Sequence, residues 1–198
     1  MIKVSWVQTL AITSLLSFLV PAQAHAEDAP VRWLALAGAD FGGEKLGSVK
    51  FTNGDSADVR ANNGILLAVG ADIANGVNSP FRTQVSVGYK FGGPTADNGD
   101  ITWSALPIDI IEFYHFSSVK LGVGIEYQLN PKLDVDIPGT KFVSNFENAL
   151  GYVAQVGWEP SQHYSFDLRY TAISYQLSGA SNVKFDGNVA GIYAAYNF

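Results

Sequence analysis

Few side chains in this chain are equipped for chemistry. There is no cysteine and there are three histidines, His25, His115 and His163. His25 falls in an apolar leader, and the other two fall at short turns, where the expected role is that of solvated turn residues. A serine or threonine nucleophile needs an activating base, and both remaining histidines are expected on the side of the short turns, away from the long loops. The acidic stretches "NGDSAD" and "DVDIPG" lack the alternating ligand spacing of a calcium loop and read as solvated loops. No catalytic residue, cofactor-binding residue or metal ligand is assigned, and no cofactor is expected.

What remains is a set of charges spaced by two or multiples of two. Arg82 and Lys90 lie in "FRTQVSVGYKF", Lys120 and Glu126 in "SVKLGVGIEYQL", and Asp167 and Arg169 in "HYSFDLRYTAISY". Asp72 and Glu147 are further candidates for the same face. In each segment these residues share a parity with Gly, Ser, Gln and Thr, while Val, Leu, Ile, Phe and Tyr hold the other. Both signs are present, so the chemistry open to them is mutual ion pairing, provided the elements bring the charged faces together.

Strict alternation over such lengths is the signature of strands with two different faces. Eight strands are expected, at about 31–42, 62–74, 80–91, 101–114, 118–129, 146–158, 163–176 and 184–198. Each meets the ~9–11 residues with which a tilted strand crosses a bilayer. Pro107 cannot donate a ladder hydrogen bond, so a bulge or register change is expected in the fourth strand, with the faces of Asp109 and Glu112 left open. The connections alternate short and long. The long segment after the first strand allows a hairpin turning at "TNGD".

Residues 1–26 form no part of this fold. A basic "MIK", an apolar "VSWVQTLAITSLLSFLV" and the small-x-small site Ala24-His25-Ala26 read as a secretory signal peptide. The mature domain is 27–198. Charged residues make up 15% of the chain, against about 25% in ordinary soluble domains. The net charge of −6 argues against a nucleic-acid partner.

A barrel of such strands can turn its apolar face inward, as a soluble lipocalin does, or outward to lipid. The glycine-rich face with charges of both signs suits a cramped interior. Aromatics near strand ends form two expected girdles. One holds Trp33, Phe81, Phe113, Trp158, Tyr164, Tyr196 and Phe198; the other holds Phe41, Tyr89, Phe91, Trp103, Tyr127, Phe146, Tyr175 and Phe185. The alternating connections match the turns and surface loops of a membrane barrel. The fold class expected is therefore all-β, an eight-stranded antiparallel up-and-down transmembrane β-barrel. Eight strands leave room only for side chains. Arg82, Lys90, Lys120, Glu126, Asp167 and Arg169 then form an ionic network in the lumen, with a narrow channel as the alternative.

The signal peptide, the eight strands and the terminal "YNF" resemble the small bacterial outer-membrane barrels of the OmpA, OmpX and OmpW type, over residues 31–198. In that family the assembly machinery recognises a terminal aromatic and a second one two residues earlier, which here are Phe198 and Tyr196. Tyr193 stands where the family usually has glycine. The resemblance implies a Gram-negative outer membrane with both termini periplasmic. The partners it implies are outer-membrane lipids, lipopolysaccharide and the barrel-assembly machinery. Loops 43–61 and 130–145 are long enough to meet a surface ligand. Some relatives are lipid A-modifying enzymes, but Ala172 replaces the histidine of their His-x-Ser pair before Ser174. A structural or surface role without catalysis is expected. The alternatives are a lateral-diffusion transporter for small apolar molecules, with Pro107 marking the wall break, and a lipid A-modifying enzyme.

Overall fold

The computed structural model describes residues 31–50, 56–76, 78–96 and 99–198. The signal peptide assigned to 1–26 and the "TNGD" turn lie outside these residues. The strands are β1 (Val31–Gly42), β2 (Lys45–Lys50), β3 (Ser56–Arg60), β4 (Gly64–Ala74), β5 (Phe81–Gly92), β6 (Thr95–Ala96) and β7 (Gly99–Phe116). There follow β8 (Val119–Ile137), β9 (Thr140–Asn145), β10 (Ala149–Trp158), β11 (Tyr164–Ala172), β12 (Ser174–Leu177), β13 (Ala180–Asp186) and β14 (Val189–Asn197).

Eight of these close into an antiparallel ring in the order β1, β4, β5, β7, β8, β10, β11, β14, with β14 returning to β1. The period-two pattern explains the closure. Every strand carries one apolar face and one mixed face, and only a closed ring hides all the mixed faces without leaving an unpaired edge. The start of β1 and the C-terminal Phe198 meet at one rim, where the Phe198 amide donates to the Trp33 carbonyl at 2.8 Å. The short turns 75–80, 117–118 and 159–163 share this near rim. The long connections share the far rim.

The apolar face points outward. Val69, Leu121, Val123, Leu168 and Ile192 are all more than half exposed. A continuous belt of this kind is foreign to a water-facing surface and suits lipid. With two aromatic belts and a filled interior, the chain is a transmembrane β-barrel in fold.

Four sequence expectations change. The segments 130–145 and 177–183 are largely strand, because β8 and β9, and β12 and β13, continue as hairpins at the far rim. The register of β7 on β8 slips between Ser104 and Leu106, where Asn130 and Pro131 together oppose Ala105, and Asn130 has φ +49°. An extra residue reverses the parity of everything after it. Leu133, Val135 and Ile137 therefore continue an alternation that a straight count loses. The expected irregularity thus lies in β8, beside Pro107. At Pro107 itself the β5–β7 ladder lapses, so Gly88 and Tyr89 have no partner on β7.

The aromatic girdles also change. Trp103, Phe113, Phe146 and Tyr175 are buried inside, and Phe185 packs against that inner cluster. Closeness to a strand end sets a ring's height, but parity sets its side. Trp103 and Phe113 share the parity of the inward Asp109, and Tyr175 that of the inward Thr171. Tyr114, Phe116 and Phe166 join the near girdle instead, and Tyr152 and Tyr170 the far one, all exposed. Finally, Glu147 is exposed at the far rim, because 146–148 bonds to 176–177 rather than extending β10.

Candidate functional site

The interior is layered. At the far rim Trp103, Phe146 and Tyr175 pack together, with Trp103 and Tyr175 ring centroids 4.9 Å apart in an edge-to-face pair. Below lies a charged layer. Lys90 Nζ is 2.6 Å from Asp40 Oδ2 and donates to Asn62 Oδ1 at 2.8 Å. Gln128 donates to Asn62 and to Glu126, and receives the Tyr175 hydroxyl at 2.7 Å.

Arg169 is the hub of this layer. Its Nη1 lies 3.2 Å from Asp109 and 3.6 Å from Glu126. Its Nε donates to Gln155 at 2.8 Å, and the guanidinium lies over the Tyr193 ring at 4.4 Å. The Tyr193 hydroxyl in turn donates to Asp40, so the Lys90 and Arg169 halves are joined. Two cations thus face three carboxylates, and each carboxylate also accepts a neutral donor: Tyr193 for Asp40, Ser86 for Asp109 and Gln128 for Glu126. Neutral donors of this kind replace the water that a buried carboxylate has lost. Gly38 makes the arrangement possible: a Cβ there would stand 2.2 Å from the Tyr193 ring.

A largely apolar layer lies between this cluster and the near rim, crossed by buried Gln84 on β5 and by the inward polar column Arg169, Asp167 and Ser165 on β11. It comprises Leu34, Leu36, Leu66 and Ala68 on one side and Ile111, Phe113 and Val153 on the other. At the near rim Lys120 reaches Asp167 at 3.2 Å and Ser165 at 3.1 Å, and covers the Phe113 ring at 4.7 Å. Arg82 Nε lies 2.9 Å from Asp72, which also pairs with Arg32.

The six charges singled out by spacing therefore fall in two tiers. Lys90, Glu126 and Arg169 lie in the middle layer. Arg82, Lys120 and Asp167 lie at the near rim. Sequence reasoning missed Asp40 and left the face of Asp109 open. Asp40 shares its parity with Leu34 and Leu36, which disguise that face of β1 as apolar. The parity of Asp109 was readable once the break at Pro107 is seen to leave the β7 frame unshifted.

The histidines correct an expectation, since neither is simply solvated. His115 Nδ1 lies 3.0 Å from Glu159, and His163 Nδ1 lies 3.0 Å from the Asn197 carbonyl oxygen. Burial opposes ionisation of Glu159. The hydrogen bond with His115 and the charges of Lys120, His115 and Arg32 outweigh it and hold the carboxyl below the ordinary glutamate range. Ala172 and Ser174 lie on the outer face. Among the described residues no three acids or histidines cluster as a metal site would require.

Tyr196 and Phe198 end the closing strand, their rings 5.1 Å apart and edge-to-face. Both lie on the outer side beside Tyr164 and Trp33.

No protein-family model matches the chain, and no curated protein matches it. Solved structures do. Ail, the attachment invasion locus protein of Yersinia pestis, aligns with a TM-score of 0.52 at 13% identity, over 85% of this chain and 97% of that one. Neisserial surface protein A aligns with a TM-score of 0.48 at 17% identity, over 83% and 96%. OprG of Pseudomonas aeruginosa aligns with a TM-score of 0.48 at 14% identity, over 86% and 97%. At these identities the likeness is one of fold, and the alignment with Ail carries it.

Proposed function

We propose that this eight-stranded barrel, which has the fold of the small OmpA, OmpX and OmpW type, is an integral protein of the bacterial outer membrane. In this reading its lumen is sealed by its own side chains, and its role is structural or surface-facing, without catalysis. The observation that carries the proposal is the layered interior. A pore would need a continuous open path. Here the buried Arg169 cluster fills the middle of the lumen, with the aromatic cluster above it and a leucine-rich lining on β1 and β4 below. The near rim, with both chain ends, is then periplasmic.

The hairpins of β2–β3, β8–β9 and β12–β13 then face outside. Strands β7 and β8, at 18 and 19 residues, exceed what a bilayer requires and lift their tips beyond it. Lipopolysaccharide and any surface ligand would meet these hairpins, within 43–61 and 130–145. Outer-membrane lipids and the assembly machinery remain the other proposed partners.

The lateral-transport alternative rests on the ladder lapse at Pro107. Behind that lapse a Cβ at Gly88 would lie 2.8 Å from both Leu66 and Ala68, so packed side chains back the wall. That favours a closed wall. The absence of a base beside Ser174, and the anchoring of both histidines at the near rim, favour the reading without lipid A chemistry.

The membrane reading is tested by fractionating cells and running the detergent-solubilised protein with and without heating. The expected result is recovery in the outer membrane and a mobility shift on heating. A monomer soluble without detergent would contradict the proposal.

A further inference from the structure

The outer face between the two aromatic belts carries one charged residue among those described. Asp100 on β7 and Lys132, Asp134 and Asp136 on β8 lie outward only on the far-rim extensions; between the belts the charge is Glu112, in a column that reads Ile108, Ile110, Glu112, Tyr114 and Phe116. A carboxylate turned to lipid is costly, and such residues persist where they have a partner or a use. Arg82 and Arg32, the nearest-rim cations, are committed to Asp72 inside the barrel. No cation reaches Glu112 among the described residues.

The carboxylate is nevertheless positioned. Glu112 pairs in register with Thr83, whose hydroxyl donates to it at 2.6 Å. Asn75, in the turn that follows β4, donates to its other oxygen at 2.5 Å. That turn lies at the near rim, so the carboxylate is drawn out of the hydrocarbon towards headgroup level. Directly beside it lie the rings of Phe81 and Tyr114, both exposed, with centroids 5.2 Å apart. An anion held by two neutral donors beside exposed aromatic faces complements a small organic cation, through a charge-assisted hydrogen bond and cation–π contact.

We infer that Glu112, with Thr83 and Asn75, is a headgroup site for a glycerophospholipid bearing a primary ammonium, bound at the near rim of the barrel wall. This inference rests on the membrane reading above. The occupant follows from placement and charge: the site faces lipid, lies at interface height and is anionic. A primary ammonium offers three donors to the carboxylate, whereas a quaternary ammonium offers none.

The test folds the chain into detergent micelles and titrates it with dioleoylphosphatidylethanolamine or dioleoylphosphatidylcholine, counting bound lipid by native mass spectrometry. The wild type is expected to retain the ethanolamine lipid about tenfold more tightly than the choline lipid, the worth of roughly one charge-assisted hydrogen bond. Glu112→Gln keeps the shape and is expected to abolish the preference. Asp136→Asn, which removes an exposed carboxylate at the far rim, is expected to keep it. Equal retention of both lipids by the wild type would overturn the inference, as would an unchanged preference in Glu112→Gln or its loss in Asp136→Asn. A doubled protein mass that Glu112→Gln reverses would also overturn it, by assigning the patch to a second copy. A chain that gives no heat-shifted barrel in micelles would instead break the membrane reading, so the two failures are distinguishable.

Discussion

Replacing Arg169 with alanine is expected to destabilise the folded barrel by about 3–5 kcal/mol, the usual cost of removing one partner from a buried ion pair. Its side chain is fully buried and, among the described residues, is the one cation within ion-pair distance of both Asp109 and Glu126. Without it those two carboxylates remain in the interior, and Tyr193 loses the guanidinium over its ring. Urea unfolding in lipid vesicles, followed by tryptophan fluorescence, measures the effect. Lys141→Ala is the reference. That residue forms an exposed pair with Asp136 on the β8–β9 hairpin and is expected to change the curve little. Adding Glu126→Gln to Arg169→Ala is expected to recover part of the loss, because it removes one stranded charge. An unfolding curve for Arg169→Ala that overlays the wild type would remove the network from the account of stability.

Deleting Phe198, or changing it to aspartate, is expected to reduce outer-membrane levels strongly. Two separate causes act at that residue. Its amide closes the barrel by donating to Trp33, and its ring caps the near girdle against Tyr196. By resemblance to the small outer-membrane barrels, the same ring and that of Tyr196 are also proposed as the label read during assembly. Phe198→Ala separates these roles, since it keeps the backbone donor. If the ring is the label, Phe198→Ala folds in vitro with near-normal stability yet accumulates poorly in cells, as immunoblots of isolated membranes would show. Normal membrane levels of the deletion and of Phe198→Asp would refute the assembly role.

The strands themselves were plain in the sequence because each stave alternates without interruption over most of its length. "FRTQVSVGYKF" and "HYSFDLRYTAISY" show their inner and outer faces to a simple count. What escaped was whatever breaks the count or disguises a face. Asn130 and Pro131 form a bulge, so the hairpin beyond them read as an acidic loop. Trp103, Phe113 and Tyr175 were assigned by height on the strand, although their parity turns them inward. Asp40 was hidden because its neighbours on the inner face are leucines. In a barrel this small the lumen is filled by packing as well as by charge, so polarity alone does not mark the inner face.

The partners of each charge lay further from reach. Arg169 meets Asp109 and Glu126 from two other strands, 60 residues away in the case of Asp109. Such meetings depend on the register of every ladder between them. Spacing identified Arg169, Glu126 and Lys90 as inward. Ring closure alone brought them into one layer and sent Arg82, Lys120 and Asp167 to another.

The sealed lumen proposed above makes a direct electrical prediction. Purified barrel added to a planar lipid bilayer in concentrated potassium chloride is expected to leave the membrane silent, because the buried Lys90–Asp40 and Arg169–Asp109–Glu126 pairs fill the middle of the lumen. Stable, reproducible conductance steps from the wild-type protein, scaling with salt as a water-filled pore does, would contradict it.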